Sequence, residues 1–125
     1  MPDVVPLRAE PRTVLLVEDE DAMRALLKCM LEMLGFQVQD ARDGYQALRL
    51  MGSRTEDFHL VVSDFRMPGM DGVETLAALR KLQPVFKAVL CSGYPEEDCL
   101  QGRPLAGSVF LPKPFTLKEL SESVR

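Results

Sequence analysis

From Thr13 onward the chain alternates between two textures. Short apolar runs occur at Val14–Val17, Phe36–Ala41, Leu60–Ser63, Ala88–Cys91 and Ser108–Leu111, each suited in length to a buried strand. Between them, apolar residues recur at three- and four-residue spacing, the period of a helix with one inward face. This spacing predicts a helix over Asp21–Leu34, with Met23, Leu26, Leu27, Met30, Leu31 and Leu34 inward and Gly35 as the stop. A second is predicted over Gly44–Met51, with Asp43 as N-cap and Ala47, Leu48 and Met51 inward. A third covers Gly72–Leu82, capped by Asp71, with Val73, Leu76 and Leu79 inside and Pro84 closing it. The fourth, over Pro95–Leu100, has room for a turn or two before Gly102 and Pro104 interrupt it. The fifth starts at Thr116, where Glu119 completes a capping box, and runs to Arg125.

Strands alternating with helices predict an α/β domain with a five-stranded parallel sheet, doubly wound so that helices cover both faces. In such folds ligands bind beyond the carboxyl ends of the strands. Glu18, Asp19 and Glu20 follow the first strand, Asp64 the third, Ser92 the fourth and Lys113 the fifth. The second strand ends without a comparable group.

If Glu18, Asp19 and Asp64 converge, their charges repel. Two carboxylates ~4 Å apart repel by about 4 kcal/mol at an effective dielectric of about 20. Such a site protonates an acid or holds a cation, and hard oxygen ligands suit Mg²⁺. Lys113 adds positive charge, and Ser92 adds a hydroxyl donor. Metal, ammonium and hydroxyl together suit a phosphoryl group, and a carboxylate nucleophile would accept it as an acyl phosphate. Each piece alone is weak: acids after a strand commonly serve a helix N-terminus, and an Asp before Met-Pro-Gly commonly serves a turn. The joint pattern at four strand ends carries the chemistry.

Length and charge narrow the picture further. The 125 residues fit one domain, with no room for an attached output module. Residues 1–12, with three of the nine prolines, read as a tail or linker, leaving 13–125 as the domain. A net charge of −4 argues against direct nucleic-acid binding, which needs clustered Lys and Arg. No apolar run nears the ~20 residues that span a membrane, and Met1–Arg12 lacks a signal-peptide core. A cytoplasmic address without membrane contact is therefore expected. Cys29, Cys91 and Cys99 form no Cys-x-x-Cys pair and read as reduced, buried thiols. His59 falls at the far end of the third strand and reads as structural.

The chain resembles the receiver domain of two-component response regulators over about Thr13 to Val124. The resemblance is carried by Val-Leu-Leu-Val-Glu-Asp-Glu, Val-Val-Ser-Asp-Phe-Arg-Met-Pro-Gly-Met-Asp-Gly and Phe-Leu-Pro-Lys-Pro-Phe. It implies a flavodoxin-like (βα)5 sandwich with strand order 2-1-3-4-5. It implies Asp64 as the phosphoacceptor. Asp19, Asp64, the backbone carbonyl of Arg66 and, partly through water, Glu18 would hold Mg²⁺. Ser92 and Lys113 would hold the phosphoryl oxygens, Ser92 and Phe110 would act as the switch, and Lys113–Pro114 would be cis. The donor would be a histidine kinase or histidine phosphotransfer domain. A monomer or weak dimer is expected, because the short fourth helix weakens the family's usual signalling face. The Cys-Ser-Gly-Tyr-Pro segment and that short helix are similar to receivers attached to hybrid sensor histidine kinases, although a free-standing regulator fits the same pattern. The resemblance implies a switch rather than an enzyme, beyond catalysing its own phosphoryl transfer and a slow autodephosphorylation. A phosphatase of the haloacid-dehalogenase type needs a second Asp two residues after the first, where this chain has Arg66. A flavodoxin-type cofactor carrier needs a phosphate loop where Glu18, Asp19 and Glu20 would repel the phosphate.

Overall fold

Five strands and five helices alternate along the described residues, 12–105 and 107–125 of the computed structural model. Residues 1–11 of the expected tail lie outside them. The strands are β1 (Thr13–Val17), β2 (Gln37–Ala41), β3 (Leu60–Asp64), β4 (Lys87–Ser92) and β5 (Ser108–Pro112). The helices are α1 (Asp21–Met33), α2 (Gly44–Ser53), α3 (Gly72–Leu82), α4 (Glu96–Leu100) and α5 (Leu117–Ser123). All strand pairs are parallel, in the order β2-β1-β3-β4-β5.

Alternation along the strands builds two cores. Leu15, Val17, Val61, Ala88 and Leu90 face one side and pack with Ala47 and Met51 of α2 and Val73, Leu76 and Leu79 of α3. Val14, Leu16, Leu60, Val62, Val89 and Cys91 face the other and pack with Leu27 and Leu31 of α1 and Leu120 of α5. Sheet order reverses between β1 and β3, so the crevice that a doubly wound sheet offers lies at their carboxyl ends.

The expected caps form. Asp43 accepts from the Gln46 N–H at 2.8 Å, and capping boxes join Asp71 to Glu74 and Thr116 to Glu119. Gly35, at φ 97°, takes the left-handed conformation that ends α1. The Lys113–Pro114 bond is cis.

Several sequence expectations need adjusting. β2 reads as a buried run but forms a sheet edge, where only Ala41 is fully buried. On α1 only Leu27 and Leu31 are buried, and Leu26 is 54% exposed at the margin of the helix face. Cys29 is exposed rather than buried, while Cys91 and Cys99 are buried. Asp64 and Ser92 do not follow their strands but end them. The ladder carries on through them, with Asp64 opposite Cys91 and Ser92 opposite Pro112, and the Phe65 N–H donates to the Cys91 carbonyl at 2.8 Å. His59 lies at the opposite, amino-terminal end of the strands, where its Nδ1 accepts from the Thr13 N–H at 2.9 Å.

Candidate functional site

At the rim the chain must turn from strand to helix without filling the crevice. After β3 this is achieved by Gly72, whose N–H donates to the Phe65 carbonyl at 2.7 Å. A Cβ on Gly72 would meet Phe65 Cα at 2.9 Å and the Asp64 carbonyl oxygen more closely still, so the loop folds back directly onto the strand end. After β1, Arg24 fixes the turn. It donates to the Glu18 carbonyl at 3.0 Å and pairs with Asp21 at 2.7 Å and Asp40 at 3.1 Å. Arg24 has no sequence signal beyond its three-residue spacing from Asp21.

These turns bring Glu18, Asp19 and Asp64 together, with one carboxylate oxygen of each lying within 4.8 Å of the others. Glu18 is 2% and Asp64 8% exposed, whereas Asp19 stands open to solvent. Lys113 reaches in from the end of β5, its Nζ 2.7 Å from Asp64 Oδ1 and 3.4 Å from Glu18 Oε1. The Glu20 N–H donates to Glu18 Oε2 at 3.1 Å.

Burial dominates the electrostatics. It raises the pKa of Glu18 above the ordinary carboxylate value, helped by the Asp64 charge and opposed by the Glu20 N–H and Lys113. Burial likewise raises Asp64, against the hydrogen bond and charge of Lys113, and Asp19 adds to the rise. For Lys113 burial works the other way, but the hydrogen bond and charge of Asp64, then Glu18, outweigh it and raise its pKa. Cys91, opposite Asp64, is pushed up to about 12 by burial, so its thiol is not a competing nucleophile near neutrality. The pocket thus holds three acids and one ammonium, a charge excess that a divalent cation would balance. Its donors are all hard oxygens, the set that Mg²⁺ prefers.

Ser92 is 2% exposed at the end of β4, and its backbone carbonyl accepts from the Lys113 N–H at 2.8 Å. The Ser92 hydroxyl oxygen accepts from the Tyr94 N–H at 2.9 Å and from the Cys99 thiol at 3.2 Å. The Arg66 side chain turns to Tyr94, donating to its hydroxyl at 2.8 Å with the guanidinium 5.2 Å from the ring centre. It thereby ties together the loops leaving β3 and β4. Phe110 lies opposite Leu90 on β5, half-buried against the core that carries α2 and α3. Cys99, from α4, is a neighbour of Ser92 that sequence spacing does not reveal.

The sequence pattern of the response regulator receiver domain matches residues 14–125. Over 114 residues the chain is 43% identical to the sensor kinase CckA of Brucella abortus (strain 2308), covering 90% of this chain and 12% of the kinase. Over 112 residues it is 38% identical to the transcriptional regulatory protein CpxR of Escherichia coli (strain K12), covering 90% of this chain and 47% of CpxR. It therefore spans about half or less of the length of these curated relatives. Among solved structures, the receiver domain from the hybrid histidine kinase CckA superposes with a TM-score of 0.75 at 34% identity, covering 88% of this chain and 93% of that one.

Proposed function

The chain belongs to the response regulator receiver domain family, whose members are phosphorylation switches of two-component systems, and on that premise we propose that Asp64 is its phosphoacceptor. The observation that carries this is the rim geometry: Asp64 Oδ1 at 2.7 Å from Lys113 Nζ, with Glu18 and Asp19 oxygens within 4.8 Å. Transfer from a phosphohistidine breaks the P–N bond, returns its electron pair to the imidazole, and forms a P–O bond to an Asp64 carboxylate oxygen. The product is an acyl phosphate.

Each neighbour then has a task. Lys113 holds the carboxylate before transfer and neutralises a phosphoryl oxygen after it. The Ser92 hydroxyl donates to another. Asp19, Asp64 and the Arg66 carbonyl would hold Mg²⁺, with Glu18 beside them acting partly through water. Bound there, Mg²⁺ supplies positive charge that offsets the carboxylates and the incoming phosphoryl oxygens. Phosphorylation adds about 1.5–2 negative charges, by analogy with phosphorylated hydroxyl residues. Ser92 moves toward them and Phe110 turns into the space it leaves, so a local charge change biases a two-state surface. Slow loss of the phosphoryl group to water resets the switch, with Arg66 and Tyr94 flanking the route.

The phosphoryl donor in this reading is a histidine kinase or a histidine phosphotransfer domain. The likeness to CckA supports a place in a relay containing a hybrid kinase. An apolar groove lined by Met23, Leu26, Met30 and Phe115 runs beside Lys113 and offers such a donor a docking face next to Asp64. Among the described residues no helix is long and apolar enough to cross a membrane. A cytoplasmic monomer or weak dimer that touches no nucleic acid completes the reading.

The test is intact-protein mass spectrometry after incubation with acetyl phosphate. Wild type should gain one phosphoryl group only when Mg²⁺ is present, and Asp64→Asn should gain none. Equal labelling of Asp64→Asn and wild type would reject the assignment.

A further inference from the structure

The Ser92 hydroxyl is gripped from two sides. A serine hydroxyl has two lone pairs and one proton. The Tyr94 N–H and the Cys99 S–H engage both lone pairs, at 2.9 Å and 3.2 Å. The Cys99 thiol is fully buried, and its other neighbour, the Tyr94 carbonyl, is more distant at 3.9 Å.

Cys99 is itself anchored. Helix α4 has only five residues, and Gln101 and Gly102 then turn the chain through left-handed conformations at φ 47° and 82°. The Arg103 guanidinium folds back over this end. It donates to the Cys99 carbonyl at 2.7 Å and the Leu100 carbonyl at 3.1 Å, and it pairs with Asp71 at 3.1 Å. Asp71 is the N-cap of α3, on the loop that leaves Asp64. The residue whose thiol grips Ser92 is thus tied at its backbone, through Arg103, to the loop that leaves Asp64.

We propose that Cys99 is a positioning residue that tethers the Ser92 hydroxyl in the resting arrangement until phosphorylation draws it toward Asp64. This rests on Asp64 being the phosphoacceptor. Both contacts leave the Ser92 proton free, so it is the movement toward the phosphoryl group in the switch proposed above, rather than donation itself, that takes Ser92 out of the grip of Tyr94 and Cys99. The thiol bond is made in the resting state and broken in the phosphorylated one, and an interaction present in only one state sets their balance. Because the thiol belongs to α4, its release also carries the movement of Ser92 to that helix.

The experiment compares Cys99→Ala and Cys99→Ser. Alanine removes the donor. Serine supplies a stronger one, since O–H donates better than S–H. The rate of labelling by acetyl phosphate with Mg²⁺ should rise on the order of threefold in Cys99→Ala, the loss of one weak hydrogen bond. It should stay level or fall in Cys99→Ser. In a Ser92→Ala background, Cys99→Ala should have no further effect, because the tether has nothing to hold. If alanine and serine shift the rate in the same direction, or the alanine effect persists without Ser92, Cys99 acts only through packing and the proposal is overturned. Should Cys99→Ala fold poorly, Cys99→Val fills the space without a donor and must also accelerate labelling.

A second readout needs no phosphorylation. Three-bond couplings in the resting protein should report one Ser92 side-chain rotamer in wild type and Cys99→Ser, and averaging in Cys99→Ala. Averaging already present in wild type would overturn the tether even if Asp64 labels normally. Absence of labelling in wild type, with the rotamer results as expected, would overturn the phosphoacceptor reading and leave the tether standing.

Discussion

Replacing Lys113 with methionine tests the electrostatics of the rim. The substitution keeps the stem and removes the charge. Lys113 Nζ lies 2.7 Å from Asp64 and 3.4 Å from Glu18. At an effective dielectric of about 20 these contacts are worth about 6 and 5 kcal/mol of gross attraction. The cost of desolvating the ammonium offsets much of that, and removing one partner of a buried pair typically costs about 3–5 kcal/mol. The Lys113 side chain is 23% exposed, so solvent screening favours the lower end. A loss of about 3 kcal/mol near neutral pH follows, or a fall in melting temperature on the order of 10 °C for a domain of this size. The loss should depend on protons. Without Lys113 the carboxylates of Glu18 and Asp64 face each other unopposed, and acidification that protonates either one relieves them. The assay is thermal unfolding by circular dichroism in chelator, from about pH 5 to about pH 8. The deficit of Lys113→Met should be largest at the alkaline end and shrink toward the acid end, and Mg²⁺ should restore more stability to the variant than to wild type. An equal deficit at every pH, or none near pH 8 (about one unit above neutrality), would refute the electrostatic account.

Other expectations follow from the same geometry. In wild-type protein without metal, Glu18 and Asp64 have raised pKa values through burial. A carboxyl raised in the folded state contributes stability that is present below its unfolded pKa and lost as pH rises through the folded one. Mild acidification should therefore favour the folded state through these two groups, while Mg²⁺ affinity, measured by NMR titration, should fall over the same window. Asp19→Asn should weaken Mg²⁺ binding on the order of tenfold by removing one ligand charge, with little effect on melting temperature because Asp19 is exposed. Gly72→Ala should destabilise by about 2–3 kcal/mol in denaturant titrations, because its Cβ has no free space between Phe65 and the Asp64 carbonyl.

Much of this site is legible in the sequence because it sits where strands end. Apolar runs mark β1, β3 and β4, and the polar residues that terminate them fall at one rim because parallel strands all point the same way. Asp43, Asp71 and Thr116 announce their helices because a cap is a local contact between residues three apart. What escapes is set by distance along the chain or by packing. Arg24 reaches the Glu18 carbonyl and Asp40, Arg103 reaches Asp71, and Cys99 reaches Ser92. None of these pairings has a periodic signature. Leu26 falls at the margin of the buried stripe of α1 and Cys29 outside it, because the boundary of such a stripe depends on how the helix sits on the sheet. The edge position of β2 is equally invisible to hydropathy, since Val38 and Ala41 still reach the two cores, one on each face, and the strand differs from its neighbours only in having no partner on its outer side.

The central claim is that Asp64 carries the phosphoryl group, and the most direct test locates the acyl phosphate itself. Protein treated with acetyl phosphate and Mg²⁺ is reduced with borohydride, which converts an aspartyl phosphate to homoserine, and the peptides are sequenced by mass spectrometry. Homoserine should appear at position 64, in the Ser63–Arg66 stretch, and nowhere in untreated protein. Homoserine at Asp19 or another aspartate instead, the five-carbon amino alcohol that a reduced glutamyl phosphate gives, or label retained on a residue that borohydride does not reduce, would contradict the account.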